Sequence, residues 1–177
     1  MRKIIVATAI VAIASFAPNA MAQTEGHAHA ATNAEIMTAL TIANNTALEF
    51  GKIAANPDST AATTVTLSAI AEPVVAVTST GGELITGTTR LAAKFTVSGE
   101  NSTTFVPVFP TEALTLGGST GSTVVTVDNF VQTAGPYTTS GTGSMILYVG
   151  GTLNVAAAPT KATYTNAAGL TVTVTYN

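Results

Sequence analysis

The chain has 177 residues, only 8% of them charged, and a formal net charge of −3 at pH 7. This length suits one domain with a sizeable core, and the acidic balance gives no electrostatic attraction for nucleic acid or an anionic membrane surface. Cysteine is absent, which excludes disulfide bonds and cysteine-based catalysis.

The N-terminus has the three parts of a secretory signal peptide. Arg2 and Lys3 form a basic start, Ile4–Phe16 is apolar, and Ala20-Met21-Ala22 is a small-residue cleavage motif. We expect cleavage after residue 22, which leaves a mature net charge of 4 − 9 = −5 because both basic residues are removed. No later segment is apolar for long enough to span a bilayer. The sequence therefore predicts an exported protein, secreted or held at the cell surface, with no transmembrane segment in the mature chain.

Residues 23–33 are small and polar, and we interpret them as a flexible leader. The next stretch, 34–42, alternates apolar and polar residues as a half-buried strand does, although Thr38 interrupts the apolar side. That apolar side consists of Ala34, Ile36, Leu40 and Ile42. Asn44-Asn45-Thr46 has the chemistry of a turn. A corner that should place two apolar side chains inward follows; its residues are Leu48, Phe50 and Gly51.

The rest of the chain reads as short strands separated by turns rich in glycine, asparagine and serine. Pro107 and Pro110 lack a backbone donor, which predicts an edge or bulged strand around them. Gly150-Gly151 predicts a bulge or tight bend. The apolar stretch between Pro110 and Gly117 is too short for a stable helix. The predicted strands are Thr63–Leu67, Val74–Thr78, Leu91–Val97, Thr103–Phe109, Val124–Phe130, Met145–Val155 and Leu170–Tyr176.

This pattern predicts one all-β domain over residues 34–177, an antiparallel immunoglobulin-like β-sandwich. A closed barrel is the architectural alternative. The last predicted strand alternates strictly, with the side chains of Leu170, Val172, Val174 and Tyr176 on one face, and Asn177 ends the chain.

The inventory of catalytic side chains is poor. The only histidines, His27 and His29, lie in the leader, and we interpret them, with Glu25, as part of a solvated tail rather than a metal site. Ser/His/Asp catalysis is therefore excluded from the folded region. A paired-carboxylate hydrolase is the least supported alternative, because the acids are scattered singly among strands and turns. These acids are Glu49, Glu72, Glu83, Glu100, Glu112 and Asp128. We expect no enzyme, no cofactor and no bound metal, and Tyr137 as an exposed aromatic.

Four segments in order resemble a bacterial surface-protein family, domain of unknown function 4402. They are Leu40–Ile42 with Leu48–Gly51, Phe95–Gly99, Val149–Leu153, and Thr171–Asn177. The Leu-x-Phe-Gly corner and the alternating terminal strand also resemble the subunits of chaperone–usher pili, including the spore-coat-U-like branch.

The pilin resemblance implies an incomplete sandwich that is completed by a strand from the next subunit. It implies that Ala34, Ile36, Leu40 and Ile42 are the inward side chains of the donated strand. It implies a groove flanked by the terminal strand, with Leu170, Val172, Val174 and Tyr176 along it. A periplasmic chaperone would hold the carboxylate of Asn177, and an outer-membrane usher would be a further partner.

These observations lead to the expectation of a structural subunit of an extracellular pilus-like fibre, or fimbrium, made of copies of this chain and serving cell adhesion and biofilm formation. One domain favours a shaft subunit over a tip subunit. In the alternative, 34–42 is simply the first strand of a complete sandwich. The chain would then be a monomeric secreted or surface binding module, adhesin-like, using the Pro107–Pro110 or Gly135–Thr139 loop.

Overall fold

The computed structural model describes residues 27–56, 60–70, 77–118 and 123–177. The predicted signal peptide, Glu25, Glu72 and the start of the predicted strand at Val74 lie outside these ranges. Within them the chain forms antiparallel strands and no helix, which confirms the all-β, sandwich-like fold. The strands are β1 (Thr41–Thr46), β2 (Ile53–Ala54), β3 (Thr63–Leu67), β4 (Val77–Thr80), β5 (Glu83–Leu84), β6 (Ala93–Ser98), β7 (Phe105–Val108), β8 (Leu114–Leu116), β9 (Val125–Gln132), β10 (Ser144–Val155) and β11 (Thr173–Tyr176).

Strand β10 is the spine of the main sheet. Its first half, Ser144–Val149, pairs with β6, and its second half, Gly151–Val155, pairs with β3. Strand β9 pairs with the opposite edge of β10. The register of this pairing shifts between Gly150 and Thr152, which confirms the predicted bulge. Residue 150 has to be glycine, because β3 comes so close to β10 here that a Cβ would collide with the backbone carbonyl of Leu67.

The main sheet has the order β1-β6-β10-β3-β4, and β8 pairs with β9 beyond β10. Strand β1 is therefore an edge strand. Two smaller sheets complete the fold, β11 with β7 and β2 with β5. In β7, Phe105 donates its N–H to the carbonyl of Tyr137 on the side away from β11, and Pro107 has no N–H to offer. Among the strands of the described ranges, β7 pairs only with β11, which confirms the edge position predicted around the prolines.

Alternation along the strands builds two apolar clusters. In β3, Val65 and Leu67 are fully buried, whereas Thr64 and Thr66, which precede them, are only partly covered. The first cluster joins β3, β9 and the second half of β10 to Phe50. The second joins β6 and the first half of β10 to Val172, which precedes β11. Strand β10 thus contributes to both clusters.

The structure differs from the sequence prediction at Asn44-Asn45-Thr46. These residues belong to β1, with Asn44 opposite Phe95 and Thr46 opposite Lys94, and the strand bulges between them. Their side chains support the bulge: the Asn44 amide donates to the Thr46 carbonyl at 2.9 Å, and the Thr96 hydroxyl donates to the Asn45 side-chain oxygen at 2.7 Å. Residue types that usually form turns here produce a β-bulge within the strand and do not end it.

Three short strands were not predicted. Strands β2, β5 and β8 contain only two or three residues each, too few to show a period in the sequence. Strand β8 pairs with β9, with Leu114 opposite Val127. The terminal strand is shorter than predicted, since its ladder begins at Thr173 rather than at Leu170.

Candidate functional site

The terminal strand has one free edge. Tyr176 lies opposite Phe105 in the β11–β7 ladder, and the Asn177 N–H donates to the Thr104 carbonyl at 3.4 Å. Backbone groups of alternate residues point to opposite edges of a strand. The backbone groups of Val174 and Tyr176 therefore point away from β7, where no strand of the described ranges pairs with them.

The side chains of the terminal segment face the second apolar cluster. Val172 is buried, and Leu170 packs against the same cluster. Val174 and Tyr176 are half-buried, whereas Thr173 and Thr175 are exposed. The predicted groove residues thus share one face of the segment, and Asn177 is exposed at its end.

The residues predicted for the donated strand occupy different environments. Ala34 is exposed, and Ile36 is 96% exposed in a stretch without regular secondary structure. Leu40 is half-buried, just before β1. Ile42 lies within β1 opposite Val97 and packs against the second apolar cluster of its own chain.

Strand β1 contributes few buried side chains. Only Ile42 and Thr46 are half-buried, and the other four residues of the strand are exposed. The corner after it is well anchored, because Phe50 is buried in the first cluster and Leu48 packs against both. Gly51 has a φ of 71°, and a Cβ there would lie 2.8 Å from both the Thr88 hydroxyl and the Thr89 carbonyl. The exposed residue Ala47 separates this strand from the fixed corner.

Three residues from distant parts of the sequence meet just before β1 begins. The Tyr176 hydroxyl donates to the Thr38 carbonyl at 2.7 Å and accepts the Glu100 N–H at 2.6 Å. The Thr38 N–H donates to the Glu100 carboxylate at 3.0 Å. This hydrogen bond is the main reason that the pKa of Glu100 lies below its ordinary value of 4.5, and the Asn101 N–H adds to the effect.

Sequence reasoning found Tyr176 but not its partners. Glu100 was interpreted as one of several solvated single charges, and Thr38 as an interruption of the apolar side. The one sequence feature that draws attention to Glu100 is its place in the turn Gly99-Glu100, directly after the strongly alternating strand β6. Nothing in the local sequence shows that Tyr176 reaches a residue 76 positions away.

A second surface feature is an open pocket of about 480 Å³ beside the end of β7. Asn129 at its border has a φ of 45°, a left-handed conformation that is uncommon outside glycine. The lining residues are Pro107, Val108, Phe109, Pro110, Thr111, Asn129 and Phe130. Tyr137 is not among them. It is half-buried, its ring lies 6.0 Å from that of Phe105, and its hydroxyl donates to the Thr133 carbonyl at 2.9 Å, so it is not the exposed aromatic that we expected.

His27 and His29 are exposed. Across the described ranges, no three His, Asp or Glu side chains lie close enough together to hold a metal ion. In the same part of the chain, no helix is long and apolar enough to cross a membrane.

Comparison with curated proteins and with solved structures found no match in either set. Comparison with family models found a match over residues 40–176, from the residue before β1 to the end of β11. The match covers most of the chain and includes every strand described above. The chain therefore belongs to the family described as Domain of unknown function (DUF4402).

Proposed function

We propose that this chain is a structural subunit of an extracellular pilus-like fibre in which each copy receives the N-terminal strand of the next. The observation that carries the proposal is the position of β1. It is an edge strand next to β6, and it is also a neighbour of β11, whose facing edge is unpaired within the described ranges. The slot that β1 occupies is thus the one that a strand from another copy would enter.

The apolar surface beside β1 is well formed, although four of the six side chains of β1 itself are exposed. The inward side chains of β6, Ala93, Phe95 and Val97, are all buried. If β1 left, the β6 edge and part of this apolar surface would be exposed to water. An unpaired edge of this kind binds extended segments through main-chain hydrogen bonds. Exchange of β1 between copies restores the same contacts, because the incoming strand is identical to the one that left.

Exchange requires little rearrangement of the rest of the subunit. The side chain that β1 contributes to the core is Ile42, whose full burial is worth roughly 1.5–3 kcal/mol. Ala47 provides an exposed connection before the fixed corner at Leu48 and Phe50. We infer that the closed subunit and the exchanged fibre differ mainly in which copy supplies residues 34–46.

An engineered disulfide tests this proposal directly, because the natural chain contains no cysteine that could compete. Ala43 lies opposite Thr96 in the β1–β6 ladder, within the spacing that a disulfide spans. In fibres assembled from an Ala43→Cys/Thr96→Cys variant, exchange predicts a ladder of covalent multimers on a non-reducing denaturing gel. The matched control is Thr66→Cys/Thr152→Cys, which joins β3 to β10 through positions whose hydroxyls are 3.0 Å apart and which stay in one copy.

Each result has a distinct meaning. Multimers from the first pair and monomers from the control support strand exchange. Fibres that yield monomers from both pairs contradict it, since β1 then remains in its own copy. A protein that forms no fibres, and stays monomeric with β1 closed, favours the alternative of a monomeric binding module. The pocket beside Phe109 and Phe130 would be its first candidate surface.

A further inference from the structure

The N-terminal end of β1 is the end from which the strand can leave β6. At its other end the chain continues through Ala47 into the corner at Leu48 and Phe50, and both of these side chains are packed in the core. Residues 27–40, which precede β1, have no regular secondary structure. Because pairing is lost first where a strand continues into chain without regular structure, separation of β1 from β6 has to begin near residue 41.

The hydrogen bonds at Thr38 close this end of the strand. The Tyr176 hydroxyl donates to the Thr38 carbonyl at 2.7 Å, and the Thr38 N–H donates to the Glu100 carboxylate at 3.0 Å. The Glu100 N–H donates to the same tyrosine hydroxyl at 2.6 Å, so the two partners of Thr38 are also joined to each other. These bonds precede the contacts that β1 itself makes, such as that of the Thr41 hydroxyl with the Ser98 carbonyl at 3.3 Å. An opening that starts at the N-terminal end has to break them first.

Both partners of Thr38 belong to the body of the subunit. Tyr176 lies in β11, opposite Phe105 of β7. Glu100 lies in a turn that is held from the inside, since the hydroxyl of Thr139 donates to the Glu100 carbonyl and Thr139 is only 3% exposed. The hydrogen bonds at Thr38 therefore join the segment that would leave to two groups that would stay.

The same hydrogen bonds would form again after strand exchange. Thr38 of an incoming copy would meet Tyr176 and Glu100 of the acceptor, because exchange replaces residues 34–46 by the identical residues of another copy. The bonds thus stabilise the closed and the exchanged subunit equally, and they are lost only while β1 is free. An interaction of this kind does not change the proportion of the two end states, but it raises the barrier between them.

We propose that Tyr176 and Glu100 form a latch on the main chain of Thr38 that limits how often β1 is released from its own subunit. The latch controls the rate of strand exchange and not its final extent. It also limits exposure of the β6 edge, since an unpaired strand edge pairs readily with other chains. The role of the latch between copies rests on the proposed function, whereas the release step occurs within one subunit and can be measured there.

Hydrogen exchange of the β6 amides, measured by NMR on the monomeric subunit, reports the release. The Gly99 N–H donates to the Gly143 carbonyl on the β10 side, so the alternate residues Thr96 and Ser98 direct their N–H groups towards β1. If β1 is released separately, the Thr96 amide should exchange faster than the slowest amides of the β3–β10 ladder. Tyr176→Phe keeps the ring and removes the hydroxyl. It should raise the exchange rate of the Thr96 amide by about threefold to tenfold, the effect of losing one ordinary hydrogen bond.

Two further variants disturb the latch in other ways. Gly99→Ala should also speed exchange of the Thr96 amide, because the added Cβ would lie 2.7 Å from Cδ1 of Leu40 and would collide with the Tyr176 hydroxyl. Glu100→Ala removes the acceptor of the Thr38 N–H and should act in the same direction.

Three control variants separate the latch from general destabilisation. The Tyr164 hydroxyl also donates to a backbone carbonyl, that of Thr160, at 2.7 Å, so Tyr164→Phe removes a comparable hydrogen bond elsewhere. Gly141→Ala adds a methyl group with no atom within 4 Å. Gly150→Ala disturbs the contact between β10 and β3, and it should speed the slowest amides of that ladder. All three should leave the exchange rate of the Thr96 amide unchanged.

The kinetics of exchange between copies test the second part of the proposal. At one protein concentration, size-exclusion chromatography follows the growth of multimers to their final proportion. Tyr176→Phe should shorten the time needed by about threefold to tenfold and leave the final proportion as in the wild type. A changed final proportion at an unchanged rate would mean that the hydrogen bonds hold only one of the two states, which overturns the latch.

Failure of the latch and failure of strand exchange give different results. A Thr96 amide that is unaffected by both Tyr176→Phe and Gly99→Ala overturns the latch, whether or not fibres form. So does a wild-type Thr96 amide that exchanges no faster than the β3–β10 ladder, since β1 is then not released separately. A faster Thr96 amide in these variants, in a protein that forms no intermolecular disulfides, retains the latch and removes the strand exchange.

Discussion

At the scale of single residues, the informative side chains are polar ones that bind the main chain of a distant segment. Glu100, Tyr176 and Thr139 each connect residues that are far apart in sequence. Their partners are carbonyl and N–H groups, which every sequence possesses. For this reason the connections could not be predicted from residue types, although Tyr176 itself could be singled out from its place on the terminal strand.

Glu100 makes the contact with Thr38 dependent on pH. Its folded-state pKa is lowered, chiefly by the hydrogen bond from the Thr38 N–H. A carboxyl group with a lowered pKa contributes stability above its ordinary value of 4.5, and that contribution is lost as the pH falls through the lowered pKa. We therefore expect the amide-proton chemical shift of Thr38 to titrate with a midpoint below 4.5 in NMR spectra.

The matching control is Glu100→Gln, which retains a side-chain oxygen but does not titrate in this range. Its Thr38 amide shift should stay flat through the same acid series. A wild-type midpoint at or above 4.5 would show that the carboxylate does not hold the Thr38 N–H in solution.

At the scale of elements, strict alternation predicted that a strand exists, although the terminal strand is paired only from Thr173 onwards, and prediction failed where alternation is brief or interrupted. Strand β3 was predicted with its observed bounds, because Val65 and Leu67 alternate with threonines. Strand β8 has only three residues and shows no period. Asn44-Asn45-Thr46 carries turn chemistry, and the ladder with β6 overrides it by bulging. A pairing partner decides such cases, and the partner lies about 50 residues away in sequence.

The segment before β1 gives a prediction at this scale. Ile36 is 96% exposed, so Ile36→Asp should change the free energy of unfolding of the isolated subunit by less than about 0.5 kcal/mol. If the donated strand extends upstream of β1 into the neighbour, the same substitution should sharply reduce fibre yield, since it introduces a charge where an apolar side chain is buried. Urea unfolding and fibre sedimentation measure the two effects.

Met37→Asp is the natural comparison, because residues 36 and 37 point to opposite faces of an extended strand. It should be tolerated in the fibre if only the Ile36 side is buried. Equal fibre yields from wild type, Ile36→Asp and Met37→Asp would place the start of the donated strand after residue 37.

At the scale of the whole molecule, the fold depends on one strand that serves two cores. The sequence predicted the antiparallel all-β class and the irregularity at Gly150-Gly151, and the structure shows why it is there. The first half of β10 pairs with β6 and the second half with β3, so β10 changes partner at this point. The order of the sheet could not be predicted, because β6 and β3 have similar apolar patterns and either could pair with either half.

Gly150 is where this architecture is most sensitive. A Cβ there would collide with the Leu67 carbonyl and lie 2.8 Å from the Ser68 carbonyl carbon, both of which belong to the backbone and cannot rotate away. Gly150→Ala should lower the free energy of unfolding by about 1–3 kcal/mol or more. Gly141→Ala, in open space, should have little effect. Comparable unfolding midpoints in urea for the two variants would contradict the close contact between Gly150 of β10 and the backbone at the end of β3.

The antiparallel pairing of β1 with β6 also has a mechanical consequence. In a fibre joined through β1, a pull along the fibre would be transmitted along the axis of Thr41–Thr46 and would act on the β1–β6 hydrogen bonds in shear. Bonds loaded in shear share the force and must break together, whereas bonds peeled from one end break singly. Strand β6 would pass the load to the first half of β10, and the twelve-residue β10 would carry it through covalent bonds from the second apolar cluster into the first. A subunit without disulfides would thus bear tension along its longest continuous strand.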